Sequence, residues 1–144
     1  MTRYSIFYLS GLTLLLLQFN SVAQKAKNHT ITADEAKSIK KDAAYFFNAE
    51  NYNAALPAFI DLVKSSPGDA EFNYRLGICY LKTNSLHEKA VEPLEIASQA
   101  KDAKKDTWYF LGMAYMAKND FDKAIESFER CKSIQGFKVP KDNP

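Results

Sequence analysis

The side chains with most scope for nucleophilic or metal chemistry are two histidines, His29 and His87, and two cysteines, Cys79 and Cys131. A nucleophile needs a base within hydrogen-bond reach, and a zinc site needs three or four converging ligands. Neither arrangement is expected. His29 falls in a polar stretch and His87 at a helix start, with no Ser or Cys partner brought near. The cysteines are 52 residues apart, on helices not expected to touch, and read as two buried free thiols. The glycines are scattered, so no phosphate-cradling loop forms. Asn28-His29-Thr30 matches a glycosylation acceptor, a three-residue pattern frequent by chance. Lys101, Lys104 and Lys105 cluster, but Asp102 and Asp106 interrupt them, as on a solvated face. The expectation is a non-enzyme with no metal and no cofactor.

Composition points the same way. The 144 residues are 47% hydrophobic and 25% charged, which are globular proportions. Nineteen Lys and Arg stand against 17 Asp and Glu, a net charge of +2. So even a balance gives little from which to build the basic stripe of a nucleic-acid binder, and none is expected as partner.

The first residues differ from the rest. Arg3 precedes an apolar stretch, Ile6 to Phe19, containing the run Leu14 to Leu17, and no Asp, Glu or Lys occurs before Lys25. Ser21 and Ala23 are the small residues of a cleavage site. Residues 1–23 therefore read as a signal peptide cut near Ala23/Gln24. The 14-residue apolar core is short for a bilayer span of about 20 residues. An uncleaved anchor is the alternative; no Cys near the exit offers a lipid attachment point. The expected compartment is the periplasm or cell envelope, with no membrane span in the mature chain. Residues 24–32 read as a polar linker.

Two glycines sit inside helix-like apolar patterns, where each costs about 1 kcal/mol relative to Ala. Gly77 and Gly112 are 35 residues apart, and the small Ala43 stands 34 before Gly77. Ala55, Ala90 and Ala124 keep the same step, as do Phe59, Leu94 and Phe128, and Phe46, Tyr80 and Tyr115. A period near 34 is the signature of stacked helix pairs. Helix starts agree. Thr32 to Glu35 and Ser85 to Glu88 read as capping boxes, Asn51, Asp69 and Asp120 as N-caps, and Gly136 as a helix stop. The expected helices are 33–48, 52–65, 70–83, 87–99, 104–117 and 121–134. Pro57 and Pro93 are expected near first turns, where the missing N–H matters least.

The set Trp108, Leu111, Gly112, Tyr115, Ala124 and Phe128 resembles the tetratricopeptide repeat (TPR). Repeat one keeps Phe46, Ala55, Phe59 and Pro67 but has Ile39 for the Trp and Ala43 for the Gly. Repeat two keeps Leu76, Gly77, Tyr80 and Ala90, with one extra residue near Asn84-Ser85. The resemblance implies an all-α, right-handed superhelical stack of three helix-turn-helix pairs over residues 33–136. The repeats are about 36–69, 70–104 and 105–138, and 137–144 is a tail. It also implies a protein or peptide partner.

In such a stack the first helix of each pair lines the concave side. The helical period aims Lys37, Lys40, Ala44 and Phe47, then Glu71, Tyr74, Ile78 and Leu81, then Asp106, Tyr109, Met113 and Met116 there. The expected partner-binding row is Lys40, Phe47, Tyr74, Ile78, Leu81, Tyr109, Met113 and Met116, a groove for a peptide or helix. Packing of these residues between neighbouring front helices is the alternative. If they line a groove, Tyr109→Ala with Met113→Ala weakens capture and leaves melting little changed. One TPR subclass grips the carboxylate of chaperone tails with Lys, Asn and Arg. Lys40 matches one such position, but Ala44, Arg75, Asp106 and Phe110 stand at the others, so that clamp is broken.

The last helix carries Ile125, Phe128, Cys131 and Ile134, an apolar edge that needs a cover. Phe137 and Val139 could fold back over part of it. A second copy could supply the rest, or the chain could be the front of a longer protein. A signal peptide followed by such repeats is similar to the N-terminal part of bacterial envelope proteins that continue into a WD-like propeller and an OmpA-like domain. That resemblance implies association with outer-membrane assembly, gliding or type IX secretion.

Overall fold

A computed structural model describes residues 32–83 and 86–139 of the chain. The signal peptide, most of the linker, Ser85 of the second capping box and the last tail residues lie outside those described. Among the described residues six α-helices follow one another: α1 (Ala33–Asn48), α2 (Tyr52–Ser65), α3 (Ala70–Lys82), α4 (Val91–Ser98), α5 (Thr107–Ala117) and α6 (Phe121–Ser133). A 3-10 turn, His87–Ala90, leads into α4. No strand occurs among the described residues. Each helix packs on its successor, and α3 also meets α5. The short connections make neighbours antiparallel, so the chain is an all-α stack of three helix pairs, α1/α2, α3/α4 and α5/α6.

Local chemistry starts these helices where the residue types require. Thr32 Oγ1 accepts the Glu35 N–H at 3.3 Å, while the Glu35 carboxylate accepts the Thr32 N–H at 2.9 Å, a complete capping box. The side chains of Asn51, Asp69 and Asp120 accept the N–H of Ala54, Phe72 and Lys123 at 3.2, 2.9 and 3.4 Å. The turns within the first and third pairs are built alike. Glu50 (φ 56°) and Asn119 (φ 62°) take left-handed backbone. The next residue then bonds back to the helix, Asn51 N–H to Phe46 O and Asp120 N–H to Tyr115 O, both 2.9 Å. The second pair has its extra residue at this turn. There the helix enters through the 3-10 turn, with no side-chain cap.

Three local expectations are corrected. Pro57 lies inside α2, past its first turn, so that turn forgoes one backbone bond. The fifth helix begins at Thr107 rather than 104, because Lys104 to Thr107 form a turn closed by Thr107 N–H to Lys104 O at 3.0 Å. Gly136 (φ 76°) serves the turn beyond α6, whose own cap is Ile134.

Packing follows the repeat. Ala43, Ala55, Gly77, Ala90, Gly112 and Ala124 are all buried. A Cβ on Gly77 would run into the Leu94 side chain. The small residue of the first helix therefore receives the large one of the second. Tyr80 is partly buried against both apolar clusters, Tyr115 is buried, and Phe128 is partly buried beside Gly112. Trp108 is half-buried under the Arg130 guanidinium, 4.5 Å from its ring. α3 has two working faces. Phe72, Leu76 and Cys79 join the first pair, while Tyr74, Ile78 and Leu81 join the third.

Candidate functional site

The expected groove row divides into two groups. Lys40 is exposed, its Nζ 5.2 Å over the Phe72 ring. Phe47 is half-buried among Tyr52 at 5.5 Å, Phe59 at 5.8 Å and the Arg75 guanidinium at 5.0 Å. Met113 is half-buried and Met116 exposed. Tyr74, Ile78, Leu81 and Tyr109, by contrast, are buried in the apolar cluster. They are corrected here from groove lining to packing. The physical reason is close approach. Helix α5 packs directly on α3 as well as on α4, so the front-helix row fills the gap between the pairs.

Tyr74 illustrates this. Its hydroxyl donates to Asp106 Oδ2 at 2.8 Å, its ring meets Phe110 edge-on at 6.2 Å, and Lys104 Nζ lies 5.1 Å over it. Burial, together with the Asp106 carboxylate, pushes the Tyr74 hydroxyl well above the ordinary tyrosine range. Glu71 holds the same junction, paired with Arg75 on its own helix and with Lys104 at 3.0 Å. Burial alone would raise the Glu71 carboxyl, but the hydrogen bonds and charges of Lys104 and Arg75 outweigh it and hold it below its usual value. Sequence reasoning missed this polar lock between pairs two and three. The i,i+4 spacing of Glu71 and Arg75 was its only signal.

The C-terminal edge is the contrasting surface. Leu81 and Val91 in the second pair are 4% and 6% exposed. One repeat later stand Met116 and Ile125, 47% and 57% exposed, with Phe121 beside them at 54%. The same positions that α5 covers in the second pair lie open in the third. The described tail residues close only the other end of this edge. Phe137 packs 5.9 Å from the Tyr109 ring, and Lys105 Nζ holds the turn by donating to Gln135 O at 3.2 Å. Val139 stays exposed.

Other features are poorer candidates. A cleft of about 650 Å³ between α2, α3, α4 and α6 carries Glu88, Glu92 and Glu95 against Lys89, Lys118 and Lys123, with no dominant sign. Among the described residues no three His, Cys, Asp or Glu converge on a metal position. His87 is exposed in the 3-10 turn, and His29 lies outside the described residues. Both thiols are buried, and burial pushes Cys79 up to about 12. No described helix is long and apolar enough to cross a membrane.

Comparison with known proteins agrees with this geometry. Two tetratricopeptide repeat models match residues 43–105 and 105–136, together well over half of the chain. DnaJ homolog subfamily C member 3 of Rattus norvegicus is 22% identical over 111 residues, 77% of this chain and 22% of that protein. BBSome complex member BBS4 of Bos taurus is 29% identical over 96 residues, 66% of this chain and 18% of that one. The chain thus spans about a fifth of the length of these relatives. The solved structure of a MamA RS-1 ArsTM double mutant superposes with a TM-score of 0.58 at 23% identity, covering 88% of this chain and 67% of that one.

Proposed function

The chain belongs to the tetratricopeptide repeat family, a family of protein–protein interaction modules, and from that premise we propose that its partner docks at the C-terminal edge of the stack. The observation that carries this reading is the contrast between Val91 and Leu81, buried, and their repeat counterparts Ile125 and Met116, exposed. Exposed apolar side chains at positions that repeat geometry covers elsewhere form a contact surface with its partner side open. Capture along the front groove, the other reading of this fold, loses Tyr74, Ile78, Leu81 and Tyr109 to packing and keeps only Lys40, Phe47, Met113 and Met116. On this proposal the chain is a scaffold rather than a catalyst.

The setting we propose is the bacterial envelope, reached by export. What supports this is the pattern of residues 1–23, with Arg3 ahead of the apolar core and Ser21 and Ala23 at its exit. N-terminal sequencing of the exported protein is expected to begin at Gln24; a chain still starting at Met1 would contradict cleavage. The docking surface is tested by a photo-crosslinking side chain placed at residue 125 or at residue 40. Adducts from residue 125 and none from residue 40 are expected. The opposite pattern would return the partner to the groove.

A further inference from the structure

We infer that the occupant of the C-terminal edge is an amphipathic α-helix from another protein, seated on α5 and α6 as α5 is seated on α3 and α4, and that Phe137 of the tail holds part of its place until it arrives. The inference rests on the edge reading above and names its partner.

The seat can be read from the interface one repeat earlier. There α5 presents Phe110, Ala114 and Tyr115 to the second pair, in one cluster with Tyr74, Leu81, Val91 and Leu94. Phe110 packs against Tyr74, and the Tyr115 hydroxyl hydrogen-bonds the Glu95 carboxylate. One step on, the receiving residues recur. Tyr109 stands for Tyr74, Met116 for Leu81, Ile125 for Val91, Phe128 for Leu94 and Glu129 for Glu95, each 34 or 35 residues later. The continuation is chemical as well as geometric, because the exposed Glu129 supplies the acceptor for which Glu95 is used. The occupant should therefore carry a small residue over Ile125, flanked on its next position by a hydroxyl or cationic donor for Glu129. It should also carry an aromatic one turn earlier, over Tyr109.

That last place is where Phe137 sits. Its ring is 5.9 Å from Tyr109, tilted by 36°, where Phe110 stands 6.2 Å from Tyr74, edge-on. Among the described residues the tail is held by this ring contact, the Lys105 to Gln135 O bond and the Phe137 N–H to Ile134 O turn. A displaceable aromatic of this kind keeps Tyr109 dry without closing the rest of the edge.

A second copy stacked head to tail fits the seat poorly. The face that α1 would bring has Ser38, Lys41 and Asp42 where α3 has Phe72, Arg75 and Leu76, and all three are exposed. Tyr45 is its one large exposed hydrophobic. In that register Lys41 takes the place of Phe110 over Tyr109 and Tyr45 the place of Ala114 over Ile125, a cation and a bulky ring where the seat takes an aromatic and a small residue.

The test uses the full chain and a labelled synthetic peptide with the sequence of residues 106–119, the α5 segment, read by fluorescence anisotropy. Saturable binding is expected. Ile125→Asp should weaken it at least about tenfold, since a carboxylate then enters an apolar contact, and circular dichroism should show the exposed-site variant folded. Phe137→Ala should tighten it several-fold by removing the competitor. Tyr115→Phe within the peptide should weaken it, and a peptide of residues 33–48 should not bind. Absence of binding, or binding indifferent to both Ile125→Asp and Phe137→Ala, overturns the inference. Sedimentation that finds a dimer of the chain dissolved by Ile125→Asp also overturns it, in favour of a second copy. If residue 125 still yields crosslinks while the α5 peptide fails to bind, the edge reading stands and only this occupant fails. If neither is seen, both fail.

Discussion

A Cβ added to Gly112 would lie 2.6 Å from Cε1 of the Phe128 ring. Helix α5 approaches α6 closely enough that the ring rests on bare backbone, and a methyl group there forces the ring or the helix to move. Gly112→Ala should therefore destabilise the chain by about 1–3 kcal/mol despite the better helix propensity of Ala. Gly77→Ala, facing Leu94, should do the same. Gly68→Ala, with nothing within 4 Å, should change stability little. Urea unfolding of the three variants checks this, and equal losses at all three would contradict the close-approach account.

Tyr109 tests the reassignment of the groove row. Buried against Phe110 at 5.5 Å, Phe128 at 5.9 Å and Phe137 at 5.9 Å, it is core. Tyr109→Ala should cost about 3–5 kcal/mol, as truncation of a buried aromatic does. If the row lined a groove, Tyr109→Ala with Met113→Ala would leave melting little changed; a thermal midpoint of that double variant within a degree or two of the parent would restore the groove.

Glu50 adopts φ 56° in a turn where its counterpart is Asn119. Asn tolerates left-handed backbone, whereas Glu bears a cost of about 1 kcal/mol there. Glu50→Gly should raise stability by up to about that amount, while Asn119→Gly should gain less. Thermal melts of the two variants give the comparison.

Burial pushes Cys79 from its ordinary value of 9.0 up to about 12, and raises Tyr74 and Tyr115 above the ordinary 10.0, with help from Asp106 and Glu95. The native state keeps protons that the unfolded chain releases, so stability is full below about pH 9 and falls as pH rises toward 12. Glu71 acts in the opposite sense, its contribution being lost as pH falls below its ordinary 4.5. As that carboxylate is 40% exposed, the acid limb should be shallow. Urea midpoints across pH 3–12 should show a plateau and a steep alkaline limb; a midpoint unchanged at the alkaline end would contradict the burial of these groups.

Much of the fold was legible because it is local. The 34-residue step, the N-caps Asn51, Asp69 and Asp120, and the small residues at 77 and 112 each act within one helix or one turn. The start of α4 was harder. The turn before it carries one extra residue, and the chain enters α4 through the 3-10 turn His87–Ala90 with no side-chain cap. The functional surface was least legible. The helical period tells which face Tyr74 and Tyr109 occupy, but not how far the neighbouring pair closes over it. That distance depends on Phe110 and Phe137, which belong to other elements. The edge around Ile125 was marked as apolar and uncovered, and its openness became measurable only against Val91.

A partner is expected to cover the C-terminal edge formed by α5 and α6 and to leave the front face around Lys40 free. Because Cys79 and Cys131 are buried, a thiol introduced by Ile125→Cys or Lys40→Cys can be followed with a bulky maleimide, in the purified protein and in native fractions. Reaction at residue 125 should slow sharply in the native fractions while residue 40 reacts as before. Protection at residue 40 with residue 125 unchanged would contradict the claim.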